Sequence, residues 1–136
     1  MKKKLIKLFD TNSYFDNRGG LIELKSDLIR KNMKHFFISY TLPGSIIPRG
    51  NHYHTKKNEW FYIIKGKMKA KVESLDGKIK EEQEFDENLK KFIYISPKTV
   101  HTFWNIGNTE LILLAIIDRK FLQYNTDTFF KEISYE

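Results

Sequence analysis

The 136-residue sequence contains no cysteine. That absence excludes disulfides, thiolate metal sites and cysteine nucleophiles together. Any metal would have to be held by histidine or carboxylate, which favours Zn, Fe, Mn, Ni or Cu over iron–sulfur chemistry. Long apolar runs are missing as well. The longest, "LILLAII" (Leu111–Ile117), falls far short of the ~20 residues a membrane-spanning helix needs and suits a buried strand. The basic start, "MKKK", is followed by neither a long apolar h-region nor a small-residue cleavage site, so the expected location is cytoplasmic, with no membrane partner. No helix-turn-helix, RNP or zinc-finger pattern accompanies the net charge of +7. The lysines are scattered, and in "KGKMKAKVE" they alternate as a solvated strand face does. Nucleic acid is therefore not an expected partner, whereas a positive surface suits a phosphate-bearing small ligand by steering it. Internal repeats, low-complexity tracts and linkers are absent too, so residues 1–136 read as one domain.

What is present is a succession of short strand-like runs. "KLIKLF" is followed by "GGLIELK", "HFFISYTL", "EWFYIIKG", "KMKAKVES", "KIKEEQEF", "KFIYIS" and "LILLAIIDR". In "KMKAKVE", Met68, Ala70 and Val72 face one way and the intervening lysines the other. Asp76-Gly77 is a favoured hairpin turn pair, and "SDLIRKNM" (residues 26–33) is the best helix candidate, with Ser26 as its N-cap. Many short strands without alternating long helices argue for an all-β sandwich or barrel. The aromatic tail "YNTDTFFKEISYE" is expected to dock on the body or on a second copy.

The stretch that bears chemistry is "IPRGNHYHTKKNEWFYIIKG" (residues 47–66). In a strand His52 and His54 share a face. Glu59 opens the next strand, and pairing of the two strands would swing it back beside the histidines. His101 follows the turn "SPKTV". Three imidazoles and a carboxylate converging inside a barrel form a divalent transition-metal site with room for water or substrate. The fourth histidine, His35, is expected to be structural or at the surface. Trp60, Phe61, Phe103 and Trp104 are expected in the core.

These residues resemble a cupin, a small jelly-roll β-barrel. Its first motif corresponds to His52, His54, Glu59 and Gly66, its second to Pro97, His101 and Asn105. The glycine expected shortly before the first histidine is displaced, and Thr99 stands in the region of the second motif's inner glycine. A narrower resemblance is carried by "FDNRGGLIEL" (residues 15–24), "PRGNHYH" (residues 48–54) and "P…H…N.G" (residues 97–107). It is to the nucleotide-sugar cupins of surface-polysaccharide biosynthesis: the 4-keto-6-deoxysugar 3,5-epimerases, the 3,4-ketoisomerases and, most of all, the cupin domain ending the capsular-polysaccharide reductase/epimerase proteins.

The resemblance implies an epimerase or ketoisomerase of a 4-keto nucleotide sugar. Protons beside a ketone are acidic, and moving one needs a base, a proton donor and stabilisation of an enolate. By resemblance His52 is the base, Arg18, Arg49 and Asn51 fall in segments that contact the sugar or its diphosphate, and Glu23 falls where nucleotide is bound, often across a dimer interface. Tyr40, Tyr53, Tyr62 and Tyr94 are candidate proton donors, with Tyr40 and Tyr53 foremost. Glu59 stands where the epimerases carry a lysine. A carboxylate there would repel an enolate without a cation between them, which favours Zn, Mn, Fe or Ni held by His52, His54, Glu59 and His101 or a subset. His52 cannot be ligand and base through one nitrogen, and sequence leaves both roles open. The resemblance also implies a homodimer; no organic cofactor is expected. The competing readings are a metal-dependent, dioxygenase-like cupin oxidoreductase and a non-catalytic sugar-binding cupin.

Overall fold

The computed structural model describes residues 4–136, so the first residues of the basic start lie outside it. The chain opens with β1 (Lys7–Phe9), β2 (Thr11–Asp16), β3 (Gly19–Leu24) and one short helix, α1 (Asp27–Asn32). Then follow β4 (His35–Thr41), β5 (Arg49–Tyr53), β6 (Glu59–Lys65), β7 (Lys67–Ser74) and β8 (Lys80–Asp86). The last are β9 (Phe92–Ile95), β10 (Thr99–Asn105), β11 (Leu111–Ile117) and β12 (Phe129–Phe130). Two five-stranded antiparallel sheets, ordered β1-β9-β6-β11-β4 and β12-β5-β10-β7-β8, enclose the core, while β2 and β3 pair as a separate hairpin. This is the all-β jelly-roll barrel of the cupins, as the sequence led one to expect.

Period-2 alternation fills the barrel. Phe61 and Ile63 of β6, Met68, Ala70 and Val72 of β7, and Leu111, Leu113 and Ala115 of β11 form one buried cluster. Their neighbours along each strand point outward, and some of them are covered by other segments while Ile64 and Lys67 stay exposed. Trp60, Phe92 and Ile116 lie under α1, whose Ile29 is fully buried; Ser26 caps that helix by accepting from the Ile29 amide. On the opposite sheet Val100 and Trp104 lie under Ile133 of the tail. The tail thus docks on the body, with β12 pairing against β5. All four aromatics flanking the motifs are buried, as expected.

Two stretches depart from the sequence reading. In "KLIKLF" only the last three residues join a strand. The amides of Leu5 and Ile6 instead donate to the Glu81 carboxylate at 2.8 and 2.7 Å, tying the edge of one sheet to β8 in the other. The second departure is β2, "TNSYFD", whose polar content gives little strand signal; it is held by pairing along its whole length with β3. Asn105 joins the sheets at the far end. Buried, it donates to the carbonyls of Thr41 (2.9 Å) and Thr109 (2.8 Å) and accepts from the Gly107 amide (2.9 Å).

Candidate functional site

The site is built where β5, β6 and β10 meet inside the barrel. β5 and β10 pair with His52 opposite His101, Gly50 opposite Thr102 and Arg49 opposite Phe103, leaving Asn51 as the extra residue of a β-bulge. Gly50 (φ +98°) permits the bulge, because a side chain there would strike the His101 carbonyl. The ring of His52 lies edge-on to that of His101, with centroids 4.7 Å apart, and 4.8 Å from that of His54. His54 lies just past the end of β5, where the Lys98 amide donates to its carbonyl at 2.6 Å. Glu59, in register with Ile95 and Ile117, enters from the facing sheet. Ring nitrogens of His52, His54 and His101, one from each, all fall within 4.8 Å of one another.

Hydrogen bonds outside the cluster decide what the rings present inside it. Nδ1 of His54 is 2.7 Å from the Asp127 carbonyl, and Nδ1 of His101 is 3.3 Å from the Thr99 carbonyl. A carbonyl only accepts, so both Nδ1 atoms carry the proton, and in the neutral rings both Nε2 atoms carry lone pairs. Those Nε2 atoms face Glu59 Oε1 at 3.1 and 3.5 Å. Among the described residues no donor reaches the buried Oε1 while both Nε2 atoms are unprotonated; it gains a hydrogen bond only when His54 takes a proton there. Lone pairs meeting a carboxylate at this range require a cation: a proton on His54, or a metal ion. The donor set fits a transition metal on this observation: imidazole nitrogens of His52, His54 and His101 lie within 4.8 Å of one another, with the Glu59 carboxylate beside two of them.

The charge states follow. Burial, then the neighbouring His101 and His54, push His52 down to about 4, which leaves it neutral at physiological pH. Burial lowers His101. Burial opposes charge on His54 too, but hydrogen bonding and attraction from Glu59 outweigh it and raise that ring. Glu59 is held below its ordinary range: burial favours its neutral form, and the bond with His54 and the nearby histidine charges prevail.

Of the residues singled out in the sequence, His52, His54, Glu59 and His101 come together. Arg49 lies on the same inward face, its guanidinium donating to the Tyr40 carbonyl (2.7 Å) and Thr41 Oγ1 (3.3 Å). Asn51 does not join them. The bulge turns it outward, where its Oδ1 accepts from Thr102 Oγ1 (2.8 Å) and the Ile133 amide (3.0 Å). Tyr53 also faces outward and stacks on Phe129. Tyr40 is exposed on the outer face of β4, Tyr62 and Tyr94 pack outside the barrel near Trp60, and the Tyr94 hydroxyl donates to Asn58. None of the four tyrosines therefore points into the cluster. Arg18 sits at the exposed hairpin tip, paired with Asp16, and Glu23 lies on the same hairpin opposite Asn12. His35 opens β4 and stacks on Phe121, as a structural residue would.

Asp16, Asp118 and Glu110 do not touch a histidine in the described residues; Asp118 accepts from the Asn58 amide (2.9 Å) and Nδ2 (2.7 Å). The groups that do orient the rings are the backbone carbonyls of Thr99 and Asp127. Side-chain identity offers no signal for a backbone acceptor, and the sequence reading missed both.

Comparison with known proteins places this geometry in a family. The chain is 27% identical over 122 residues to the UDP-2-acetamido-2,6-beta-L-arabino-hexul-4-ose reductase of Pseudomonas aeruginosa, covering 89% of this chain and 31% of that protein. It thus spans about a third of the curated relative's length. The structure of the 3,4-ketoisomerase QdtA from Thermoanaerobacterium thermosaccharolyticum, in complex with TDP-4-keto-6-deoxyglucose, superposes with a TM-score of 0.77 at 17% identity, covering 92% of this chain and 86% of that one. The capsular polysaccharide assembling protein CapF from Staphylococcus aureus superposes with a TM-score of 0.69 at 22% identity, over 90% of this chain and 34% of that one. Both superpositions share the barrel. Residues 14–129, most of the chain, match the family described as the polysaccharide biosynthesis C-terminal domain, and the chain belongs to it.

Proposed function

We propose that this chain moves a proton beside the ketone of a 4-keto nucleotide sugar, as an epimerase or ketoisomerase in surface-polysaccharide assembly. The observation that carries the reading is the convergence of His52, His54, His101 and Glu59 inside the barrel, with Arg49 further along the same face. The substrate class is supported by the family and by relatives named for a UDP-linked hexul-4-ose and solved with a TDP-linked 4-keto sugar.

Within the cluster the roles divide by exposure and by tautomer. His54 and His101 are buried, with Nε2 turned to Glu59 by backbone acceptors, whereas His52 is only partly buried and neutral. His52 is therefore the base. It takes the proton from the carbon beside the ketone; the C–H electron pair becomes a C=C bond, and negative charge moves to the carbonyl oxygen. Delivery of a proton by water to the opposite face of that carbon, with His52 giving its proton to solvent, inverts it; return of the proton from His52 to the former carbonyl carbon, as the neighbouring hydroxyl proton passes to the former carbonyl oxygen, shifts the ketone. Nε2 of His54 and of His101, with the Glu59 carboxylate, would hold a divalent transition metal (Zn, Mn, Fe or Ni), which supplies Lewis acidity when bound. The fixed guanidinium of Arg49 suits the diphosphate. Arg18 and Glu23 stand on the hairpin apart from their own cluster, so in this reading they serve the pocket of a second copy in a homodimer.

The test is incubation with UDP- and TDP-linked 4-keto sugars in deuterium oxide, with NMR of the ring protons. Deuterium is expected to enter beside the ketone, and His52→Asn is expected to abolish its entry. Unchanged protons in every sugar would overturn the reading: bound iron with oxygen uptake would then establish an oxidoreductase, and tight binding without exchange a sugar-binding protein.

A further inference from the structure

After β11 the chain returns across the barrel and closes over β5 as a strap. The Lys131 amide donates to the Asn51 carbonyl at 2.8 Å and the Ile133 amide to Asn51 Oδ1 at 3.0 Å. Where the strap reaches the site it is keyed by one residue. Asp127 has φ +52°, a left-handed conformation that aspartate adopts more readily than most side chains. Its carboxylate accepts from the Thr55 amide (3.0 Å), Thr55 Oγ1 (2.6 Å) and the Lys56 amide (2.8 Å). Its carbonyl, turned the other way, receives Nδ1 of His54 at 2.7 Å. Thr128 Oγ1 lies 3.4 Å from the same nitrogen; its proton goes to the Thr126 carbonyl at 3.1 Å, so toward Nδ1 it is only a second, longer acceptor beside the 2.7 Å carbonyl.

We infer that Asp127 is a positioning residue: its carboxylate clamps the backbone after His54 and so fixes the carbonyl that dictates which nitrogen of His54 faces Glu59. The backbone acceptor alone does not fix the ring. Without the carboxylate, three bonds to Thr55 and Lys56 are lost, the left-handed turn loses its reason, and the carbonyl moves off Nδ1. The histidine is then released to place its proton on Nε2, where it blocks a cation. Outer groups that fix a ligating imidazole matter in this way. The inference rests on the reading of His54 as a holder of the cation, but its first consequence, the tautomer, does not.

The experiment records long-range 1H–15N spectra of the metal-free protein at a fixed pH above the raised titration of His54, where the ring is neutral and has a tautomer, then titrates in zinc. Wild type is expected to show His54 protonated at Nδ1. Asp127→Ala is expected to populate the other tautomer and to weaken zinc binding by about 10–100-fold. Asp127→Asn, which keeps an acceptor and tolerates the left-handed turn, is expected to restore both. Ile133→Ala loosens the strap elsewhere and is expected to leave the tautomer unchanged. A wild-type tautomer in Asp127→Ala, or an equal change in Ile133→Ala, overturns the inference. Should Asp127→Ala not fold, Thr55→Val removes only the 2.6 Å hydroxyl bond. A smaller shift in the same direction is then expected, and none overturns it. If wild type takes no zinc, the metal in the proposed function falls, and the tautomer still decides the role of Asp127.

Discussion

At Glu59 burial and charge pull in opposite directions. The side chain is 4% exposed, deep enough for desolvation to favour the neutral acid, yet its surroundings hold it ionised. A buried carboxylate whose near neighbours are imidazole nitrogens 3.1 and 3.5 Å away is costly unless a cation sits among them. Glutamine keeps the shape and removes the charge. Glu59→Gln is therefore expected to lower zinc affinity by more than about tenfold, beyond the lower bound for losing a mere outer-layer partner. Competition with a chelating dye measures this, and a variant with wild-type affinity would show that Glu59 holds no metal. The same residue marks what sequence can teach: Glu59 in place of the epimerases' lysine already pointed to a cation. The geometry adds where the lone pairs are aimed.

At the level of the strand, the bulge in β5 decides which residues serve the site. In unbroken alternation Arg49, Asn51 and Tyr53 would share a face opposite His52. The extra residue resets the pattern, so Arg49, though exposed, falls on the same sheet face as His52, and Asn51 and Tyr53 go out to hold the tail. This is why the motif histidines were legible and their neighbours were not. Spacing within a motif survives in sequence, whereas the bulge is set by the close approach of two backbones. The regular strands were legible for the complementary reason, their alternation being uninterrupted, as in "KMKAKVES". β2 carried too little apolar pattern to announce itself. The bulge depends on Gly50, and Gly50→Ala is expected to lose at least about 1–3 kcal/mol, the usual cost of such strained backbone, before the clash with the His101 carbonyl is added. Urea unfolding measures the loss, and a variant as stable as wild type would mean the strands separate there freely.

Across the whole molecule the outer surface is uneven. Phe36, Ile38 and Tyr40 on the outer face of β4 are 65%, 64% and 59% exposed, and Tyr14, Phe15 and Leu21 on the β2–β3 hairpin are exposed as well. β4 is also the outermost strand of its sheet, with one side unpaired among the described residues. An edge of this kind invites another strand, and apolar patches of this kind mark interaction surfaces. The second copy proposed to receive Arg18 and Glu23 suits it. Light scattering is expected to give twice the chain mass of 16.3 kDa, and Ile38→Asp to give a folded monomer. A monomeric wild type would remove the second copy from the proposed function.

The strap has one more consequence, for the order in which the site comes into being. His54 receives its acceptor from a residue 73 positions later, so both histidine motifs leave the ribosome before the group that fixes His54 exists. A chain paused short of residue 127 holds all the donors of the centre with one imidazole free to choose its tautomer. On the proposed function, competence for a cation is thus a late event in synthesis, conferred by the strap on a barrel whose main strands are already made.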